Sequence, residues 1–235
     1  CDWSSDVCSS DLTYTGGSGT TTLTFSYTVG ANDNTADLTI TALNNNSATL
    51  TDAAGNTYAS FTNNPAGTLV IDTIAPSAPG LALAADTGIS STDRLTNNAS
   101  INVSSLESGA TWDYSTNSGG AWTAGSGTSF SVAAGSYTTG QVQVRQTDQA
   151  GNLGAVNTTF AAFTVDTQAP SVTSVTTSGT GITSGAGFLK AGAVVTFTVN
   201  TSENVTIIGG TPTLSLSSGG SATYTGGSEI GRAHV

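Results

Sequence analysis

Two stretches of this sequence occur twice at almost the same spacing, and that repetition limits the fold more than any single residue does. Asp52-Ala53-Ala54-Gly55-Asn56 returns 96 residues later as Asp148-Gln149-Ala150-Gly151-Asn152. Ile71-Asp72-Thr73-Ile74-Ala75-Pro76-Ser77 returns 94 residues later as Val165-Asp166-Thr167-Gln168-Ala169-Pro170-Ser171. A third match overlaps the two ends: Thr223-Tyr224-Thr225-Gly226-Gly227-Ser228 repeats Thr13-Tyr14-Thr15-Gly16-Gly17-Ser18. The last repeat stops where the first begins. The chain therefore reads as the later part of one repeat (13–73), one whole repeat (74–167) and the earlier part of a third (168–228). Joining 168–228 to 19–73, 61 and 55 residues, gives a 116-residue unit, the size of a complete domain.

The apolar residues alternate with a period of two, the signature of half-buried strands. Leu23, Phe25, Tyr27 and Val29 share one face, and Leu38, Ile40 and Ala42 form a second set. In the whole repeat the sets are Ile101 with Val103, Phe130 with Val132, and Val142 with Val144. Val195, Phe197 and Val199, then Leu214 and Leu216, follow in the third. No stretch carries a 3.6-residue stripe. Short strands with frequent turn signals, repeated every 95 residues or so, predict an all-β fold. It consists of tandem immunoglobulin-like antiparallel β-sandwiches, one complete and two partial. Pro76, Pro79 and Pro170 fall just past each Asp-Thr pair, where a stiff residue without an N–H suits the start of a new domain.

Both cysteines and the one histidine lie in the outer flanks. A coding sequence for Ile230–Val235, ATC GGA AGA GCA CAC GTC, has a reverse complement that reads Asp-Val-Cys-Ser-Ser-Asp, which is residues 6–11. One DNA adapter read in frame at both ends would produce this pair, so 1–12 and 229–235 are expected to be adapter-derived and are set aside from the fold. The formal charge is -11; Asp2, Asp6, Asp11, Glu229 and Arg232 contribute a net -3 of it, which leaves -8 on 13–228. That segment has no Cys, His or Met, and its cations are Arg94, Arg145 and Lys190. A zinc centre, a thiol nucleophile and a His-based triad are excluded by this inventory. The acidic balance disfavours nucleic acid and anionic lipid as partners, and no apolar run is long enough for insertion as a membrane-spanning helix.

Four sequence features together carry a family resemblance. They are the D-x-A-G-N turn, the V/I-D-T-x-A-P-S junction, the run Leu83–Asn98 with Asp86, Asp93, Asn97 and Asn98, and the stretch Tyr114–Trp122. Over 13–228 the chain resembles the tandem bacterial Ig-like repeats of large surface and secreted adhesins. The resemblance implies a non-catalytic stalk, export to the cell surface, neighbouring Ig-like repeats as partners, and an unspecified cell-surface or glycan ligand. It also implies structural Ca²⁺ at domain junctions, for which the candidate ligands are Asp52, Asn56, Asp72, Asp86, Asp93 and Asn97. Calcium takes six to eight oxygen donors. The same Asp and Asn residues also suit plain turns that cap their own backbone, and Asp52-Gly55-Asn56 fits such a turn well. Asp148, Asn152 and Asp166 form a sparser set at the second junction.

Ser115-Thr116-Asn117-Ser118-Gly119-Gly120-Ala121-Trp122 resembles the Asp-box S-x-D-x-G-x-x-W, with Asn117 in place of Asp. That motif is a hairpin turn, not a catalytic centre. Trp112 and Trp122 flank it and are expected to pair across the hairpin, as core packing or as an exposed platform for sugar. Asp113 and Glu107 have no companion motif for glycoside hydrolysis, and Arg145 is expected on the solvent face of its strand. The chain is therefore not expected to be an enzyme. An accessory spacer or carbohydrate-binding module of a secreted enzyme is the alternative reading. The two partial repeats are complementary halves, so weak head-to-tail self-association is expected.

Overall fold

The computed structural model describes residues 12–43, 45, 47–58 and 63–226. Apart from Leu12, the two adapter-like flanks lie outside these residues, as does Ser228. Among the described residues there is no helix, hence none long and apolar enough to cross a membrane, and fifteen strands form six small sheets. The fold is all-β. The chain divides into two compact units, one up to Asp166 and one from Thr167 onward.

The first unit begins with a hairpin of β1 (Thr13–Gly16) and β2 (Thr24–Ser26), antiparallel with Tyr14 opposite Phe25. From there to residue 73 the described residues form no further strand. They are held by bonds such as Leu38 N–H to Leu69 O (2.8 Å) and by a bridge between Thr35 and Ile71. The predicted strand over Leu38, Ile40 and Ala42 is not formed. Ile40 donates its N–H to the Asn64 side chain instead of to a neighbouring strand, and it stays exposed. Of the described residues in 12–73, only Gly30 and Ile71 are buried.

Residues 74–166 hold the core. The elements are β3 (Gly80–Leu83), β4 (Leu95–Thr96), β5 (Ser100–Ser104), β6 (Thr111–Ser115), β7 (Thr123–Ala124), β8 (Ser129–Ser131), β9 (Gly135–Tyr137), β10 (Gln143–Thr147) and β11 (Phe163–Val165). They form the sheets β3-β5-β8, β10-β6-β7 and β4-β11-β9. Every strand pair is antiparallel except β4 with β11. Successive residues of a strand point to opposite faces. Ile101, Val103, Phe130 and Val132 from one sheet therefore meet Trp112, Val142 and Val144 from the next, and Phe160, Phe163 and Val165 close the cluster. Trp112 is 5% exposed and satisfies its indole N–H on Gly127 O at 3.0 Å. Tyr114 stacks on Phe130 with ring centroids 4.1 Å apart. The result is a β-sandwich-like core.

The register of β3 and β5 sets where this repeat is attached to the rest of the chain. Gly80 lies opposite Ser104, at the end where the chain comes in, and Leu83 lies opposite Ile101. The chain leaves at the other end: Asp166 donates its N–H to Thr96 O, and Thr96 Oγ1 donates to Ala85 O, both at 2.9 Å. The arrival and departure points are thus separated by the length of the four-residue β3, on the order of 13 Å.

The second unit contains two hairpins. In one, β12 (Val172–Ser178) pairs with β13 (Thr196–Thr201), and Val175 opposes Val199. In the other, β14 (Thr213–Ser215) pairs with β15 (Ser221–Thr223), and Leu214 opposes Ala222. Of its described residues only Ala222 is buried.

Candidate functional site

The repeated motifs are explained by hydrogen bonding that starts in the turn and ends at the junction. In the second D-x-A-G-N copy, Asp148 accepts the Asn152 N–H and Asn152 Nδ2, both at 2.8 Å, one on each carboxylate oxygen. Gly151 sits at φ +94°, a left-handed conformation that glycine adopts without a Cβ clash. The first copy is built the same way. Asp52 accepts the Asn56 N–H and Nδ2 at 2.8 Å each, the Ala54 N–H bonds to it at 2.9 Å, and Gly55 has φ +84°. These bonds favour the ionised carboxylate, so both Asp52 and Asp148 are held below the ordinary Asp range, chiefly by the Asn side chain in each turn.

The second turn reaches further. Asn152 Nδ2 also donates to Asp72 O at 3.0 Å. Gln146, fully buried on β10, donates through Nε2 to Ser77 O (2.8 Å) and Ser105 O (3.2 Å) and accepts the Glu107 N–H at 2.9 Å. Asn157 Nδ2 donates to Pro79 O at 2.8 Å. Three amide side chains thus take three carbonyls of the segment 72–79. The chemistry fits the sequence of that segment: Pro76 and Pro79 have no N–H to offer a ladder, so the joint is made through its carbonyls. Gly154 completes it, because a Cβ there would collide with Pro76 O. Gln146 was not among the residues that the sequence singled out. Its signal is parity: it follows Val142 and Val144 on the inward face.

The candidate calcium ligands fall in three places. Asp52 and Asn56 close their own turn. Asp72 accepts the Ile74 N–H at 3.0 Å and lies beside the Asp148–Asn152 turn, not the Asp52 turn. Asp86, Asp93 and Asn97 share one loop around Arg94. There Asp86 Oδ2 accepts the Arg94 N–H (2.9 Å), Asp93 accepts the Leu95 N–H (3.0 Å), and Asn97 Oδ1 accepts the Thr87 hydroxyl (2.7 Å). Asp86 Oδ1 is buried and has no hydrogen-bond partner. Arg94, in a left-handed conformation at φ +60°, turns its guanidinium away to Ala161 O and Ala162 O and over the Phe160 ring. Among the described residues no three His, Cys, Asp or Glu side chains converge as a metal-binding group.

The Trp hairpin folds as a side-chain-closed turn. Ser115 Oγ donates to Asn117 Oδ1 (2.8 Å) and accepts the Gly119 N–H (3.0 Å), and Asn117 Oδ1 accepts the Ala121 N–H (2.9 Å). Asn117 therefore supplies the acceptor that the Asp-box carboxylate would supply. The expected Trp112–Trp122 pair is not formed. Trp112 faces the core, whereas Trp122 lies under the Arg145 guanidinium, 4.1 Å from its ring centroid, and Arg145 pairs with Asp113 at 3.2 Å. Asp113 alternates with Trp112 and Tyr114 along β6, so it and its partners occupy the outer face of the sheet.

No family model matches this sequence, and no curated protein matches it.

Proposed function

We propose that this chain is a non-catalytic segment of a tandem Ig-like array, a structural and adhesive stalk of a bacterial surface or secreted adhesin. One observation carries the reading. The repeat 74–166 receives the chain at one end and releases it at the other, and the motif that recurs along the sequence is the one that clasps the incoming junction. That is the connectivity a load-transmitting array needs, since each repeat then depends mainly on its neighbours. The alternative, a sugar-binding accessory module, requires an aromatic platform. The burial of Trp112 and the Arg145 cover on Trp122 favour the stalk. A long sequencing read through the parent gene tests this. The stalk reading expects many copies of the 95-residue unit, each with both motifs, next to an export signal. A catalytic hydrolase domain beside one or two copies would overturn it in favour of the accessory module.

Calcium belongs to the same proposal. Asp86, with its unpartnered Oδ1, and Asp93 and Asn97 in the same loop are the donors best supported, with Asp72 at the junction. Excess calcium over EGTA is expected to raise the Tm of the full chain. At a hundredfold excess over Kd the gain is about 2.7 kcal/mol. Identical melting curves in calcium and EGTA would remove calcium from the account.

A further inference from the structure

We infer that the open edge of β3, within the repeat 74–166, is a docking site for an extended peptide strand whose residues alternate between apolar and basic. The ladder between β3 and β5 shows which groups are open. Ala84 donates its N–H to Ser100 O at 3.0 Å, and in the same register Ala82 opposes Asn102 and Gly80 opposes Ser104. Bonded and non-bonded residues alternate along an antiparallel pair, so the even positions turn N–H and C=O toward β5 and the odd positions turn theirs away. The outward row is therefore 79, 81, 83 and 85. Side chains close it at both ends: Asn157 Nδ2 donates to Pro79 O at 2.8 Å, and Thr96 Oγ1 donates to Ala85 O at 2.9 Å. Between these ends β3 is the outer strand of its sheet. Among the described residues, nothing is hydrogen-bonded to the N–H and C=O groups of Leu81 and Leu83. An unpaired edge of this kind is a template for another strand.

A groove of about 560 Å³ lies along this row, with Leu81 and Leu83 on one wall and residues from 157–161 on the other. Its chemistry selects the occupant. Two sets of N–H and C=O groups, two residues apart, match the repeat of an extended chain, which adds to a sheet edge through main-chain bonds. An added strand alternates its faces in step with β3. Leu81 and Leu83 pack against the buried cluster and Phe160 belongs to it, so peptide side chains on that face meet apolar walls. Side chains on the other face meet the field of the repeat. Within the lining, Asp86 and Arg94 offset each other, so the balance is set by the repeat as a whole. It carries Asp86, Asp93, Glu107, Asp113, Asp148 and Asp166 against Arg94 and Arg145, a net -4. That field favours Lys or Arg over Asp or Glu on the outer face of the peptide. The site goes beyond the stalk reading and is independent of it, since it needs the folded repeat and no particular neighbour.

The test is amide hydrogen exchange, followed by NMR on the full chain, with the peptide acetyl-Lys-Val-Lys-Val-Lys-amide as the probe. In the free chain the Leu81 and Leu83 amides are expected to exchange fast, and those of Ala82 and Ala84, bonded to β5, slowly. With the peptide at about ten times its Kd, exchange at Leu81 and Leu83 should slow about tenfold, because each amide is then open only in the unbound fraction. Two control peptides separate the contributions. One is the same peptide N-methylated at every residue, which keeps the side chains and loses each main-chain donor. The other is acetyl-Glu-Val-Glu-Val-Glu-amide, which keeps the main chain and reverses the charge. Neither is expected to slow the two amides at the concentration where the lysine peptide does. No slowing at Leu81 and Leu83 up to the solubility limit of the lysine peptide overturns the inference. So does equal slowing by the N-methylated peptide, which would remove the added strand, or by the glutamate peptide, which would remove the charge selection. The gene-locus result bears on none of these outcomes.

Discussion

At the residue scale, polar side chains do the joining. Gln146 is the clearest case, since it is fully buried and makes three hydrogen bonds to two separate segments. Gln146→Ala would remove its bonds to Glu107, Ser77 and Ser105, and a hydrogen bond contributes about 0.5–1.5 kcal/mol net. We expect a loss of about 2–4 kcal/mol for the three, measured by denaturant unfolding followed through tryptophan fluorescence. The turn carboxylates give a different readout. The Asn56 and Asn152 side chains hold the Asp52 and Asp148 carboxyls below the ordinary Asp range, so these bonds stabilise the fold above that range. This stabilisation is lost as pH falls through the lowered value. Asp33, bonded to the Tyr27 hydroxyl at 2.6 Å, acts in the same direction. The Tm is therefore expected to drop on acidification below about pH 4, and Asp148→Asn to remove part of that acid dependence. A Tm that is flat through this range would contradict the assigned bonds.

At the scale of elements, alternation made the core of 74–166 legible. Ile101 with Val103, Phe130 with Val132, and Val142 with Val144 all lie in the buried cluster, as period two requires. The same reasoning failed over Leu38, Ile40 and Ala42. Alternation describes a strand only if a ladder and an opposing layer exist, and this segment has neither in the described chain. The Trp hairpin failed by parity. Which face Trp122 takes depends on the register set by the Ser115–Ala121 turn, and a shift of one residue reverses it. The parallel pairing of β11 with β4 joins residues about seventy apart and leaves no local trace. Of the candidate site, the turn role of Asp52 and Asn56 was legible from Asp-Gly-Asn chemistry, whereas the clasp on 72–79 needed the fold to bring Asn152, Gln146 and Asn157 to it. Trp112→Ala should cost about 3–5 kcal/mol, as for other large buried aromatics, with the loss read from calorimetry of the full chain. A cost under 1 kcal/mol would mean that the core is not organised around this indole.

For the whole molecule, stability is concentrated in one repeat. The buried hydrophobic cluster runs from Ile101 to Val165, while among the described residues on either side almost nothing is buried. Load applied along the chain passes through 74–166 from one end to the other, whatever the neighbours do. The most direct measurement is single-molecule stretching of the full chain from its two ends. The account predicts one dominant unfolding event that releases about 300 Å of contour, since 93 residues extend at about 3.6 Å each and the folded repeat already spans part of that length. The flanking segments should yield at lower force. Smooth extension with no such event, or several comparable events spread along the chain, would contradict the account of this molecule as a stalk whose load passes through a single complete repeat.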